Sequence, residues 1–348
     1  STVSRRDIVV NATIGLVLRV VIAPFTGHAF DVSLWKSVAR QWFEQGVLHI
    51  ETWPTMPVYL YCLLASYSYY ALLRLLGLPD VKFFAQPATA LELLFIKLPM
   101  IVADIISFLI ILKTMSQKIN GRNLFYASLY LYNPLTIMVS ALWGMYDTLA
   151  LCFMLASIYY MLRGKTLYSI VLSVIGGMTK PFAFVPMVLL LLNSVLRREW
   201  KNLAKMTAIA MTSIVTLFLP FIALGGVQAF ATHFIRRVFG PLTQVDMYSG
   251  LAYYRGVLPY TPWAYYVIMG SVSTYLIWHY RRNLLSLESI SKFLTAIFLV
   301  HYVTYHFVYV QHLSWVLGPL TLLVTTTRRE TVLVPFIYLY GAGAVLYT

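Results

Sequence analysis

The chain has 348 residues, of which 60% are apolar, 16% aromatic and only 11% charged, with a mean hydropathy of +0.75. Soluble domains carry roughly 25% charged residues, so the composition excludes an ordinary soluble protein. It also excludes reading the net charge of +14 as a nucleic-acid footprint until its distribution is known. Cys62 and Cys152 lie in apolar surroundings without metal-ligand spacing.

A helix needs about 20 apolar residues to cross a hydrocarbon core about 30 Å thick. In chain order, spans are predicted at 8–25, 89–112, 123–141, 147–163, 167–178, 181–196, 203–223, 263–280, 289–309, 312–326 and 331–347. The first is too long, and too poorly followed by a cleavage site, for a cleaved signal peptide. Basic clusters punctuate the runs at Arg5-Arg6, Lys113/Lys118/Arg122, Arg163/Lys165, Arg197/Arg198/Lys201/Lys205, Arg281/Arg282 and Arg328/Arg329. The positive-inside tendency makes these connectors cytoplasmic. The expected fold is therefore an all-α polytopic membrane protein, one domain over 1–348 with about eleven transmembrane helices. Its long outer loops are 26–88, with interfacial amphipathic helices, and 224–262. Asn and Gln are scarce, seven each, which points to a thermophilic source and an archaeal cell membrane.

Two segments strain this count. Residues 57–77 are apolar enough to cross, but a crossing would put the basic 113–122 connector outside. An interfacial or re-entrant helix is expected instead, with tyrosines and Arg74 at headgroup level. Only 31 residues separate Lys165 from Arg197, too few for two full spans. Two half-helices meeting at "GGMTKPF" are expected, since broken backbone at membrane depth is tolerated where it lines a cavity.

The outer face collects the candidate chemistry. After Asp31, apolar Leu34, Trp35, Val38, Ala39, Trp42 and Phe43 recur at helical spacing. They describe an amphipathic helix on the membrane with its indoles in the interface. Asp31 in its first turn is either an N-cap or a carboxylate aimed into a pocket. Asp147, in "WGMYDT", is the second acidic candidate and equally a cap for the helix that follows. His233, Arg236, Arg237 and Arg255 in the second outer loop, with Lys180 at the half-helix tip, run against the charge bias. They would bind a phosphate or snorkel to anionic headgroups. Gln311 and His312 could add polar contacts at the mouth. Arg19, Asp104 and Lys97 lie within apolar runs, where charges are functional candidates by default. Arg19 and Asp104 fall at comparable depth and are expected to form a structural ion pair.

The order of these segments resembles the GT-C membrane glycosyltransferases, which take polyprenyl-phosphate sugars as donors. "FDVSLWKSVARQW" resembles the first-loop acidic motif, and "WPTMPVYLYCLLA" the proline-containing helix after it. "LELLFIKLPMIVADIISFLIILK", "YLYNPLTIMVSALWGMYDTLA", "GGMTKPFAFVPMVLLLL" and "VYVQHLSWVLGPLTLL" follow in order, from about residue 8 to 326. The branch they resemble is glycosylphosphatidylinositol mannosyltransferase 1, with the dolichyl-phosphate-glucose transferases as neighbours. The resemblance implies a GT-C fold and transfer of a hexose, mannose before others, to a hydroxyl of a lipid-linked or glycan acceptor. With Asp31 as general base, a direct displacement at such a site would invert the anomeric centre; membrane lipids as surroundings, a monomer and no nucleic-acid partner are also expected. That branch has Asp-x-Asp where this chain has Ala29 and Asp31, so a metal bridging two carboxylates is not expected, nor is another cofactor. Two other classes stay open. A transporter or flippase for a lipid-linked anionic glycan would suit the broken helices, and a scaffold subunit would leave the cation cluster unexplained.

Overall fold

Cap residues and prolines start the helices where the sequence permits. In the computed structural model, which describes residues 3–46, 56–83, 86–115, 120–239, 263–305, 308–327 and 330–346, helix α1 (Arg5–Ile22) opens on a capping box. Ser4 accepts from the Asp7 N–H while Asp7 accepts from the Ser4 N–H. A 3₁₀ turn, Ala23–Phe25, leads to α2 (Ala29–Gln45), which ends on Gly46 at φ +67°. Pro57 supplies the first residue of α3 (Pro57–Leu75). The long α4 (Ala90–Met115) follows, then α5 (Gly121–Leu131), capped by Asn120.

The span expected over 123–141 is broken in the structure. Pro134 has no N–H, and the chain kinks at Tyr132-Asn133 before the short α6 (Pro134–Ile137). Asn133 stabilises the break by accepting from the Leu135 N–H and donating to the Ile337 carbonyl. α6 runs into a π turn, Met138–Trp143, closed by Gly144 at φ +85°. After α7 (Asp147–Leu162), the two half-helices are α8 (Thr166–Gly177) and α9 (Val185–Leu196), joined through the 3₁₀ turn Pro181–Phe184. Gly177 is required there, because a Cβ would stand 2.4 Å from the Phe184 ring.

α10 (Trp200–Phe239) corrects the second-loop boundary: residues 224–239 continue the helix rather than open a loop. The helix carries Pro220 within it, since a proline removes one backbone bond and a glycine costs only about 1 kcal/mol. α11 (Ala264–Tyr280), α12 (Leu287–Thr304), the 3₁₀ turn Val310–Val316, α13 (Leu317–Thr326) and α14 (Glu330–Leu346) complete the described chain.

Among the described residues, Arg5–Phe25, Ala90–Met115 and Trp200–Pro220 are each long and apolar enough to cross a bilayer alone, and α3 is not one of them. Shorter apolar helices make up much of the rest. The apolar exterior is broad: Val9, Ile14, Val17 and Val21 on α1, Met211, Val215 and Leu219 on α10, and Val267 and Trp278 on α11 all face outward. Contiguous apolar surface of this kind needs lipid around it, and the chain is an integral membrane protein.

The first loop departs from expectation. α2 does not lay its apolar face on lipid: Val32, Trp35, Val38 and Ala39 are buried against α3 and α4. Trp35 is 1% exposed and meets the rings of Tyr59 and Tyr146 edge-on at 4.7 and 5.6 Å. Its polar face is also held. Glu92, fully buried in the first turn of α4, receives Lys36 at 3.3 Å, Arg40 at 3.4 Å and the Tyr67 hydroxyl at 2.6 Å. α2 is thus fixed to the protein by packing on one side and by charge on the other.

Candidate active site

Asp31 stands in the first turn of α2, but it does not cap it. The N-cap is His28, whose side chain makes no capping bond. Asp31 Oδ2 instead accepts from the Trp143 indole N–H at 2.9 Å and lies 2.6 Å from His28 Nδ1. Its side chain keeps 14% exposure, so one face remains open. Burial pushes the carboxyl above its ordinary value, against the charge of His28, the Trp143 and His28 hydrogen bonds and the charge of Lys180. A carboxylate so placed is a proton acceptor held at fixed orientation.

Asp147 is not a cap either. It begins α7 behind Tyr146, which is the N-cap and offers no side-chain bond. The Asp147 carboxylate is fully buried; Oδ1 accepts from Lys180 Nζ at 2.6 Å and from the Trp315 indole at 2.5 Å. Oδ2 has no hydrogen-bond partner. Lys180 sits in the break after α8, where the chain turns extended and points the ammonium back toward α7. Its Nζ lies 5.2 Å from the Tyr146 ring and 5.3 Å from the Trp315 ring. Gln311 and His312 are buried on the same 3₁₀ turn as Trp315, with the His312 and Trp315 rings 4.4 Å apart. Asp147, Lys180 and His312 thus meet around Tyr146 and Trp315, while Asp31 is held by Trp143 within range of the Lys180 charge.

Of the other expected residues, His233, Arg236 and Arg237 lie on the last turns of α10, and Arg255 is outside the described residues. Arg19 and Asp104 are paired in the bundle at 2.8 Å, both fully buried. Arg19 also donates to the carbonyls of Gly15 and Leu131 and to Thr136 Oγ1, while Tyr130 donates to Asp104 Oδ1.

Two contributors, Glu92 and Trp143, were not singled out in the sequence, and a third, Lys97, was singled out without its partners. Glu92 and Lys97 were visible as charges in the run "LELLFIKLPM", but periodicity does not name a partner. Lys97, fully buried on α4, donates to the carbonyls of Ala23 at 2.9, Thr26 at 2.6, Ala141 at 2.7 and Leu142 at 3.1 Å, and to Thr26 Oγ1 at 3.1 Å. Trp143 left no sequence signal beyond its aromatic neighbours.

The architecture is an all-helical polytopic membrane fold. Two crystal structures of ArnT from Cupriavidus metallidurans share it. The one bound to undecaprenyl phosphate superposes with a TM-score of 0.61 at 14% identity, over 93% of this chain and 60% of that one. The apo state gives 0.56 at 13%, over 91% and 58%. This chain thus spans about three-fifths of the length of ArnT. No protein-family model and no curated protein matches the sequence.

Proposed function

We propose that the protein is a membrane glycosyltransferase that moves a hexose from a polyprenyl- or dolichyl-phosphate donor to a hydroxyl of a lipid-linked or glycan acceptor. The observation that carries this reading is Asp31: a carboxylate not used as a cap, held by Trp143 and His28 with one face open. It sits within reach of the Lys180 charge. ArnT, of the same fold, was crystallised with undecaprenyl phosphate, which supports a polyprenyl-phosphate partner. Mannose is favoured by the order of sequence landmarks shared with the mannosyltransferase branch.

The chemistry this site would perform is a direct displacement. The acceptor oxygen bonds to the anomeric carbon, the bond from that carbon to the phosphate oxygen breaks, and Asp31 takes the hydroxyl proton. The phosphate leaves as a stable anion and needs no general acid. One displacement inverts the anomeric centre. His233, Arg236, Arg237 and Arg255, together with the charge of Lys180, would hold the lipid phosphate and offset the charge gathering on it. Gln311 and His312 would contact the sugar or acceptor. Arg19 and Asp104 would tie α1 to α4 without touching substrate. The site would open on the outer face of an archaeal cell membrane.

The test is incubation of purified protein with a panel of polyprenyl-phosphate sugars, following release of polyprenyl phosphate with and without a chelator. Release from the mannosyl donor, insensitive to chelation because Ala29 leaves Asp31 without a neighbouring carboxylate, is expected. Release from no donor, with protein-dependent movement of a lipid-linked glycan across vesicles, would replace the reading with transport.

A further inference from the structure

We infer that Lys97 is a positioning residue for Asp31, a latch that keeps the Trp143 indole on its carboxylate. This rests on the reading of Asp31 as base, and it is carried by five short contacts to one buried ammonium. A lysine taken out of water usually has a carboxylate partner, because an unpaired buried charge costs several kcal/mol. Among the described residues Lys97 has none; its acceptors are four carbonyls and one hydroxyl.

Those acceptors lie on two segments. Ala23 and Thr26 follow the end of α1 and lead, through His28, into Asp31. Ala141 and Leu142 belong to the final turn of the π segment and lead directly into Trp143. Both are C-terminal helix ends, where carbonyls are left without intrahelical partners and the backbone dipoles point their negative ends. Two such ends brought together inside a protein repel and leave buried acceptors unsatisfied. The ammonium removes both problems at once. Thr26 reinforces the seam, its hydroxyl donating to the Ala141 carbonyl at 3.1 Å. Beyond the seam, the His28 N–H points to the Trp143 carbonyl at 3.5 Å, and the two rings stand 5.0 Å apart. Gly144 follows Trp143 at φ +85°, where a Cβ would be 3.1 Å from the Lys97 stem, so the turn is fitted against the lysine itself.

Removing the charge therefore releases the segment that carries Trp143 from the segment that carries Asp31. Misplacement by about 1 Å can cost about 10²-fold in rate. The effect should fall on kcat, with the donor KM little changed, because Lys97 lies under the base and not at the phosphate.

The experiment uses full-length protein labelled with 5-fluorotryptophan, reconstituted in lipid nanodiscs and followed by fluorine NMR. There are eight tryptophans, and Trp143→Phe identifies the resonance of interest. In the unmodified protein that resonance should shift with pH as Asp31 ionises, and it should stop shifting in Asp31→Asn. In Lys97→Met it should lose the pH response while the other resonances keep their positions, with kcat down about 10²-fold. A Trp143 resonance that still follows Asp31 in Lys97→Met would overturn the inference. If Lys97→Met does not fold, Thr26→Val takes its place, since it removes one acceptor and the hydroxyl bridge but leaves the charge. A smaller pH response of Trp143 in that variant supports the latch, and an unchanged one refutes it. Loss of the response in Lys97→Met, with no turnover of any donor by the unmodified protein, supports the latch while removing the glycosyltransferase reading.

Discussion

Asp31 and Asp147 are both acids at the start of a helix, and residue type alone makes both of them caps. Their surroundings separate them. Asp31 is partly open and held by an indole and an imidazole, whereas Asp147 is sealed between Lys180 and Trp315. Replacing Asp31 with Asn keeps an oxygen for the Trp143 indole and removes the proton acceptor, so turnover should fall by about 10²–10⁴-fold with thermal stability little changed. Replacing Asp147 with Asn breaks the buried ion pair that Lys180 makes with it at 2.6 Å, and stability should fall by about 3–5 kcal/mol. Differential scanning of the two variants beside a donor-turnover assay separates them, and equal stability losses would assign both acids to structure. The pH profile adds a sign. Burial raises the Asp31 pKa, so turnover should decline as pH falls through a value above the ordinary carboxylate range. An acid limb at or below that range would mean that His28 and Trp143 dominate over burial. The candidacy of both acids was legible in the sequence, because acids are so few. What each one touches was not, since Trp143 and Trp315 lie 112 and 168 residues away from their partners.

At the scale of elements, α2 shows what periodicity conveys and what it leaves out. The spacing of Leu34, Trp35, Val38 and Trp42 gave a helix with one apolar face, and the helix is there. Periodicity does not say whether lipid or protein covers that face. In the structure protein covers it, because α3 and α4 present Tyr59, Leu63 and Ile96 to it. The buried Glu92 holds the other face through Lys36, Arg40 and Tyr67. Glu92→Gln should therefore loosen α2 while leaving α7 and α8 in place. Tyr67 would still have an acceptor, but Lys36 and the half-exposed Arg40 would lose a counter-charge, a loss of about 1–2 kcal/mol after solvent screening. Hydrogen exchange read by mass spectrometry should show faster exchange in peptides covering Ala29–Gln45 and unchanged exchange in Asp147–Leu162. Unchanged exchange in both would show that apolar packing alone fixes α2. The half-helices at α8 and α9 were legible because length forbade two full spans, whereas the break at Asn133-Pro134 lay inside a run that was long enough to cross.

For the whole molecule, the arrangement of α7 and α8 puts Asp147 and Lys180 at one end and the basic connector Arg163–Lys165 at the other. The 16 residues of α7 span about 24 Å at 1.5 Å per residue, so the candidate site and the connector lie on opposite sides of most of a hydrocarbon core. By the positive-inside tendency the connector would be cytoplasmic, which is the basis for proposing that the site opens to the outside. α4 offers the cleanest test. Its 26 residues reach about 39 Å, more than the ~30 Å core, and exposed Lys82 and Lys113 lie beyond or near its two ends. In a background with Cys62 and Cys152 replaced, Lys82→Cys should react with a membrane-impermeant maleimide in intact cells. Lys113→Cys should react only after the membrane is opened. Reaction of both in intact cells would mean that α4 does not carry the chain across the membrane between them. Reaction of Lys113→Cys alone would make residues 57–75 a true crossing and force the connectors after α4 to the outside, or else invert the whole molecule and place Asp31 on the cytoplasmic face.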